Sequence, residues 1–171
     1  MDLALTVQLM LWGALGVLAA HVVRDDLIAM EIPAGKVLVL TVLAIVHGIL
    51  FPLDGLSGNA GLAGAATGLA LGTLTRGYIH LRTGVAAFGG ADIALLAAGG
   101  GLLGPFLLGP WVIMAGLLAV LGALLPALGA RATHLEPEDR EVRALPFCPA
   151  LLVSAVAVYA MAHTGTLPAL P

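Results

Sequence analysis

Charged side chains are scarce in this sequence. Only 10% of the 171 residues are charged, whereas 60% are hydrophobic. Soluble domains carry about 25% charged residues, so one water-soluble core cannot hide this many apolar side chains, and the bilayer is the expected solvent. No basic patch with interleaved aromatic residues occurs, so nucleic-acid binding has no support.

Cysteine is almost absent, because Cys148 is the only one. A single cysteine forms neither an intrachain disulfide nor a cysteine-based zinc site. The five histidines are scattered, and no Ser-His-Asp or Cys-His order suggests a nucleophilic enzyme. His21 lies one turn before Asp25, but no further ligands cluster there, so we expect neither a metal nor a cofactor.

Long apolar runs dominate instead. A membrane-spanning helix needs about 20 residues, and six stretches approach that length: 3–23, 35–51, 61–79, 91–108, 111–130 and 145–162. The first has no basic segment before it and continues to about Val23, so we interpret it as a retained helix rather than a cleaved signal. The sequence predicts an all-α, polytopic membrane protein with about six transmembrane helices in one domain, residues 1–171.

The positive charges predict how this domain is oriented. With six helices, all seven fall on one side of the membrane, in the first, third and fifth loops: Arg24, Lys36, Arg76, Arg82, Arg131, Arg140 and Arg143. The positive-inside rule then places these loops in the cytoplasm and both termini outside. A different helix count would scatter the charges over both faces, so their agreement favours a multi-pass protein of the inner (plasma) membrane.

Glycine recurs every four residues on the third helix, at Gly64, Gly68 and Gly72. Small residues at this spacing allow helices to approach closely. The pattern therefore favours plain helix packing, with a substrate groove as the alternative.

Asp92 is the most conspicuous acidic residue. It precedes the apolar run Ile93–Ala98. A carboxylate at membrane depth is costly and is a functional candidate by default. Aspartate is also a favoured helix N-cap, and the two interpretations are compatible because a capping carboxylate can still react.

Asp26 is predicted to lie at the same membrane face as Asp92, where the first helix leaves the bilayer. Taken alone it is a solvated juxtamembrane charge. Together with Asp92 it completes the pair of carboxylates that aspartyl hydrolysis needs. One accepts a proton from water while the other, protonated, polarises the scissile carbonyl. Close like charges would make the pair share a proton near neutral pH.

Three segments resemble the type IV prepilin peptidases, relatives of the archaeal preflagellin peptidases. Residues 26–33 read D-L-I-A-M-E-I-P, similar to the first motif of that family, and the offset to Pro33 selects Asp26 over Asp25. Residues 89–96 read G-G-A-D-I-A-L-L, like the Gly-x-Gly-Asp motif that carries the second catalytic aspartate. Residues 145–149 read L-P-F-C-P, similar to the Pro-Phe-Gly-Pro that opens the last helix. In order and spacing the resemblance covers nearly the whole chain.

The resemblance implies a Gly-x-Gly-Asp-type intramembrane aspartic endopeptidase with Asp26 and Asp92 as catalytic residues. It would remove the leader of a prepilin-like precursor (a type IV or Flp pilin, or a pseudopilin) at the cytoplasmic face, with the pilus or secretion machinery as a partner. Gly89 and Gly90 would let the substrate backbone approach. The cytoplasmic insert with cysteine pairs is missing, which resembles the short, peptidase-only branch that serves tight-adherence pili.

Four positions depart from the family pattern: Ala34, Ala91, Ala94 and Cys148. These departures keep an inactive homologue, acting as an assembly scaffold, as one alternative. A small proton-coupled carrier is the other, although both aspartates are expected near one face rather than at the midplane.

Overall fold

Six α-helices form the framework of the protein. The computed structural model describes residues 2–29, 32–53, 56–84, 89–124, 131–133, 142–144 and 147–166. Within these residues the helices are α1 (Leu3–Ala29), α2 (Ala34–Leu50), α3 (Gly58–Thr83), α4 (Gly90–Leu103), α5 (Leu108–Leu124) and α6 (Phe147–His163). The predicted all-α class is confirmed apart from one short pair of strands. β1 (Arg131–Thr133) pairs antiparallel with β2 (Val142–Ala144), in the register Arg131 to Ala144.

Helix α4 is the centre of the bundle. Eight of its 14 residues are buried, and it packs against α2, α3, α5 and α6. In contrast, α1 buries only Leu15, Val22 and Asp26 along its 27 residues. The most enclosed helix therefore carries Asp92 near its N-terminal end, and a peripheral helix carries Asp26 near its C-terminal end.

Close backbone packing between α3 and α4 fixes the position of α4. A methyl group added to Gly64 would overlap the carbonyl of Gly100, and one added to Gly68 would overlap the carbonyl of Leu96. The packing interpretation of the glycine pattern is thus confirmed. The glycine run 99–101 lies inside the continuous helix α4. Because these residues have no side chains, α2, α3 and α5 can approach α4 closely at this point.

Two helices, α1 and α3, continue further along the chain than the sequence predicted. Helix α1 continues about two turns past Val23 to Ala29, so Asp26 is helical rather than in a loop, and α3 continues through Arg76 to Thr83. Hydropathy falls where the expected apolar layer ends, whereas a helix ends where its backbone is capped. For α3 that cap is Gly84, whose left-handed backbone (φ 72°) returns its N–H to the carbonyl of His80.

The predicted fourth stretch ended too late. Helix α4 stops at Leu103, followed by Gly104 at φ 75° and by Pro105, and α5 begins at Leu108. Tryptophan near the end of an apolar helix often predicts an anchor at the membrane interface, but for Trp111 this prediction is wrong. It is 1% exposed, and its Nε1–H donates to the carbonyl of Leu151 in α6 (2.9 Å).

One helix in the described part of the chain, α1, has the length and hydropathy to cross a membrane. The shorter apolar helices, among them α2, α4 and α6, have 10–17 residues, which is at or below the lower limit of about 17 for a spanning helix.

Candidate active site

Asp26 points inward from the last turns of α1. It is 8% exposed, and its Oδ2 accepts a hydrogen bond from the backbone N–H of Cys148 (3.1 Å). Cys148 is the second residue of α6, so its N–H is one of those that a helix leaves without an internal partner. The first turn of α6 therefore satisfies Asp26, and the positive end of the helix dipole faces the carboxylate.

Asp92 is held by its own helix. Its Oδ2 accepts a hydrogen bond from the backbone N–H of Gly89 (3.0 Å). Gly89 is the N-cap residue, so Asp92 occupies the third helical position and reaches back, as the acidic residue of a capping box does. The interpretation of Asp92 as the N-cap residue was wrong, because Gly89 occupies that position and Asp92 contributes to the cap from the third helical position.

The fold brings Asp26 and Asp92 to one end of the bundle. The negative charge of Asp92 acts on Asp26, and both carboxylates act on the Cys148 thiol. We call Asp26, Asp92 and Cys148 the aspartate end. Cys148 is 1% exposed, and its position beside two prolines and an aromatic residue in the sequence favours a role in packing or helix entry. Its place within the Pro-Phe-Cys-Pro segment was the one signal that could have linked it to the carboxylates.

Asp25, although adjacent to Asp26, is engaged elsewhere. Its Oδ2 forms an ion pair with Nζ of Lys36 on α2 (2.6 Å). Successive helical residues point about 100° apart, so Asp25 turns toward α2 while Asp26 turns toward α6. Acidic residues near this end of α1 could attract a basic leader peptide, but Lys36 already neutralises Asp25. Glu31, the other acidic residue that could do so, lies outside the described residues.

The remaining predicted site residues border the aspartate end. Gly89 has an extended backbone (φ −72°, ψ 158°), and a Cβ there would lie 3.3 Å from Oδ2 of Asp92. Gly90 opens α4 and has open space around it. Pro33 is exposed, caps α2, and lines a shallow depression beside Asp25 rather than Asp26.

An apolar groove of about 220 Å³ runs along the middle of the bundle and includes Trp12 among its lining residues. Its walls come from α1, α2, α4, α5 and α6, and the exposed residues Gly16 and Val156 line its mouth between α1 and α6. Ala19, another lining residue, precedes Asp26 by about two helical turns, or about 10 Å. The groove thus opens along the seam between α1 and α6, the two helices that the hydrogen bond of Asp26 joins.

The opposite end of the bundle buries a histidine. His47 is fully buried, and neither ring nitrogen has a hydrogen-bond partner. Its ring lies 4.8 Å from that of Trp12, 5.6 Å from that of Phe51 and 6.0 Å from that of Tyr159. We call these four residues the histidine end. No pattern in the sequence singles out His47, since apolar residues precede and follow it along α2.

The described residues form no metal-binding cluster. Among the described residues, no group of three or more His, Cys, Asp and Glu side chains comes together to hold an ion. His21, considered as a ligand beside Asp25, is exposed on α1. The chemistry available at the aspartate end is therefore that of two carboxyl groups and a buried thiol.

Comparison with known protein families, characterised proteins and solved structures finds no match to this chain.

Proposed function

We propose that the chain is a membrane-embedded aspartic endopeptidase that cleaves the leader from prepilin-like precursors at the cytoplasmic face. The observation that carries the proposal is the convergence of Asp26 and Asp92. Asp26, near the C-terminal end of α1, accepts a hydrogen bond from the start of α6, and Asp92 lies in the first turn of α4, a helix that also packs against α6. Paired carboxylates near the surface of an apolar protein suit hydrolysis of a peptide bond at the membrane boundary.

The apolar exterior supports a membrane location. Large hydrophobic side chains are exposed on five of the six described helices, all except α4: Leu38 is 64% exposed, Leu74 71%, Ile113 66%, Met10 70% and Val153 59%. Monomeric soluble proteins rarely expose contiguous apolar patches of more than a few hundred Å². Lipid is the environment in which such a surface is stable.

The distribution of cations supports the orientation. Arg24, Lys36, Arg76 and Arg82 all lie near helix ends that face the aspartate end. By the positive-inside rule that end is cytoplasmic. A precursor with a basic leader in the cytoplasm and an apolar helix in the bilayer would present its cleavage site there. The groove beside α1 and α6 would accommodate apolar side chains that follow this site.

The proposed reaction needs only the two carboxyl groups and water. One carboxylate removes a proton from the attacking water while the protonated partner donates to the carbonyl oxygen of the scissile bond. The tetrahedral gem-diol intermediate collapses as the amine leaves with the proton from the first carboxyl group, while one gem-diol hydroxyl returns its proton to the second carboxylate. The products are the free leader and the mature N-terminus, and the pair again shares one proton.

The test is leader removal from a tagged Flp-type prepilin co-expressed with the wild type, Asp26→Asn or Asp92→Asn, read as a gel shift. Asp25→Asn is the matched control, because it removes the neighbouring carboxylate, which pairs with Lys36. We expect cleavage with wild type and Asp25→Asn, and none with the other two variants.

Two results would contradict the proposal. Cleavage that survives Asp92→Asn would overturn the two-carboxylate mechanism. A well-folded wild type that cleaves no Flp-type, type IV or pseudopilin precursor would favour the inactive scaffold or the proton-coupled carrier. A carrier would then be recognised by proton-dependent uptake in vesicles that Asp92→Asn abolishes.

A further inference from the structure

Asp26 and Asp92 are anchored in different ways. Asp92 bonds to Gly89, three residues away on its own helix, whereas Asp26 bonds to Cys148, 122 residues away. The direction of the Asp92 side chain therefore follows from local structure. The direction of Asp26 depends on where α6 docks.

Helix α1 gives Asp26 little enclosure of its own. Only Leu15 and Val22 are buried with it on that helix, and α1 otherwise packs against the core through partly buried residues such as Trp12 and Val23. The bond to Cys148 is buried, with Asp26 8% and Cys148 1% exposed. Hydrogen bonds to a charged group contribute more than neutral ones, and more still away from water.

We propose that the backbone N–H of Cys148 is the positioning group for Asp26. This inference rests on the proposed peptidase function. The N–H holds Oδ2, which leaves Oδ1 as the oxygen that exchanges a proton with water or with Asp92. Cys148 acts through its main chain, so the side chain at this position is secondary. That explains how cysteine can stand where the similar Pro-Phe-Gly-Pro motif has glycine.

The test removes the N–H and keeps the side chain constant. Lactic acid incorporated at position 148 by cell-free suppression replaces the amide of alanine with an ester, which has no donor. The reference is Cys148→Ala, which retains the amide. Proline also lacks the N–H, but it would restrict the backbone of Phe147, so the ester is the cleaner change.

With the tagged Flp-type prepilin as substrate, we expect the ester to lower kcat/KM by about 10- to 100-fold relative to Cys148→Ala. The acidic limb of the pH–rate profile should also move up by about one pH unit, because a carboxylate that loses a donor is protonated more readily. A smaller folded fraction would lower the rate without moving this limb. An unchanged limb and rate would overturn the inference while leaving the peptidase function intact.

A second measurement does not depend on activity. Both position-148 proteins are also made with Asp26→Ala, and thermal unfolding midpoints are compared in detergent. We expect the ester to lower the midpoint by several degrees when Asp26 is present and by clearly less when it is absent. Equal shifts in both backgrounds would overturn the anchoring of Asp26. If coupling is found but no variant or wild type cleaves, the proposed function fails and the anchoring stands.

Discussion

The two ends of the bundle bury ionisable side chains under opposite conditions. At the aspartate end, Asp26 and Asp92 each accept a hydrogen bond from a backbone N–H at the start of a helix. At the histidine end, His47 is fully buried with both ring nitrogens unpartnered and aromatic rings around it. The aspartate end therefore holds its polar groups in fixed directions, as a reaction requires, whereas the histidine end buries a polar group at a cost to stability.

The difference between the two ends is tested most directly by removing one functional group from each. Asp92→Asn should lower leader cleavage by at least about 100-fold, because a positioned acid or base contributes about 10²- to 10⁴-fold. His47→Leu should leave the cleavage rate within about twofold, since it is far from the reacting groups. The measurement is the cleavage rate of the tagged prepilin in detergent. A loss with His47→Leu as large as that with Asp92→Asn would abolish the distinction between the ends.

Both ends depend on the packed middle of the bundle. Gly68→Leu would force a side chain into the backbone of α4 at Leu96, and overpacking of this kind costs about 1–3 kcal/mol or more. We expect a lower thermal unfolding midpoint and loss of activity together. Gly77→Ala, on the same helix but with open space around it, is the matched control and should be neutral or slightly stabilising. Equal destabilisation by both variants would contradict the close α3–α4 contact.

Replacing the buried imidazole at the histidine end should increase the stability of the protein. In His47→Leu, a side chain of similar size replaces two unpartnered polar atoms, which should raise the free energy of unfolding by about 1 kcal/mol after the lost ring contacts are counted. Chemical unfolding in detergent measures the change. His21→Leu, at an exposed position of α1, serves as the control and should change little. A marked loss of stability in His47→Leu would mean that its nitrogens have partners.

The smallest expected effect lies at the border of the aspartate end. Lys36→Met breaks the ion pair with Asp25. In this pair the side chain of Lys36 is 39% exposed and that of Asp25 is 19% exposed. Partly exposed pairs contribute about 0.2–1 kcal/mol, and screening by salt reduces this further. We expect a midpoint shift that is measurable at low salt and shrinks in high salt, with leader cleavage unchanged. A large loss of cleavage would place Lys36 in the reaction itself.

Much of the architecture could be predicted from the sequence. The number of helices in the described residues and their order follow from hydropathy. The sequence also predicted the packing role of Gly64 and Gly68, because close helix contacts require small residues at a regular spacing. Boundaries were less accurate: Asp26 and Arg76 were placed in loops, since a drop in hydropathy does not end a helix whose backbone remains hydrogen-bonded.

The two candidate carboxylates could be named from the sequence, but their surroundings could not. Asp26 was preferred to its neighbour by resemblance to a motif, and the fold adds a physical difference, since Asp25 is engaged by Lys36. Contacts between residues far apart in sequence, such as that of Asp26 with Cys148, leave no periodic pattern in a single chain.

By itself, the sequence determined that this protein is a set of apolar helices with a few carboxylates near one face, because composition and period act locally along the chain. Only the tertiary structure decided which carboxylates meet, which helix terminus satisfies each of them, and that His47 is buried without a partner. Those outcomes depend on how helices separated by many residues pack, and glycine contacts at the centre of the bundle set that packing.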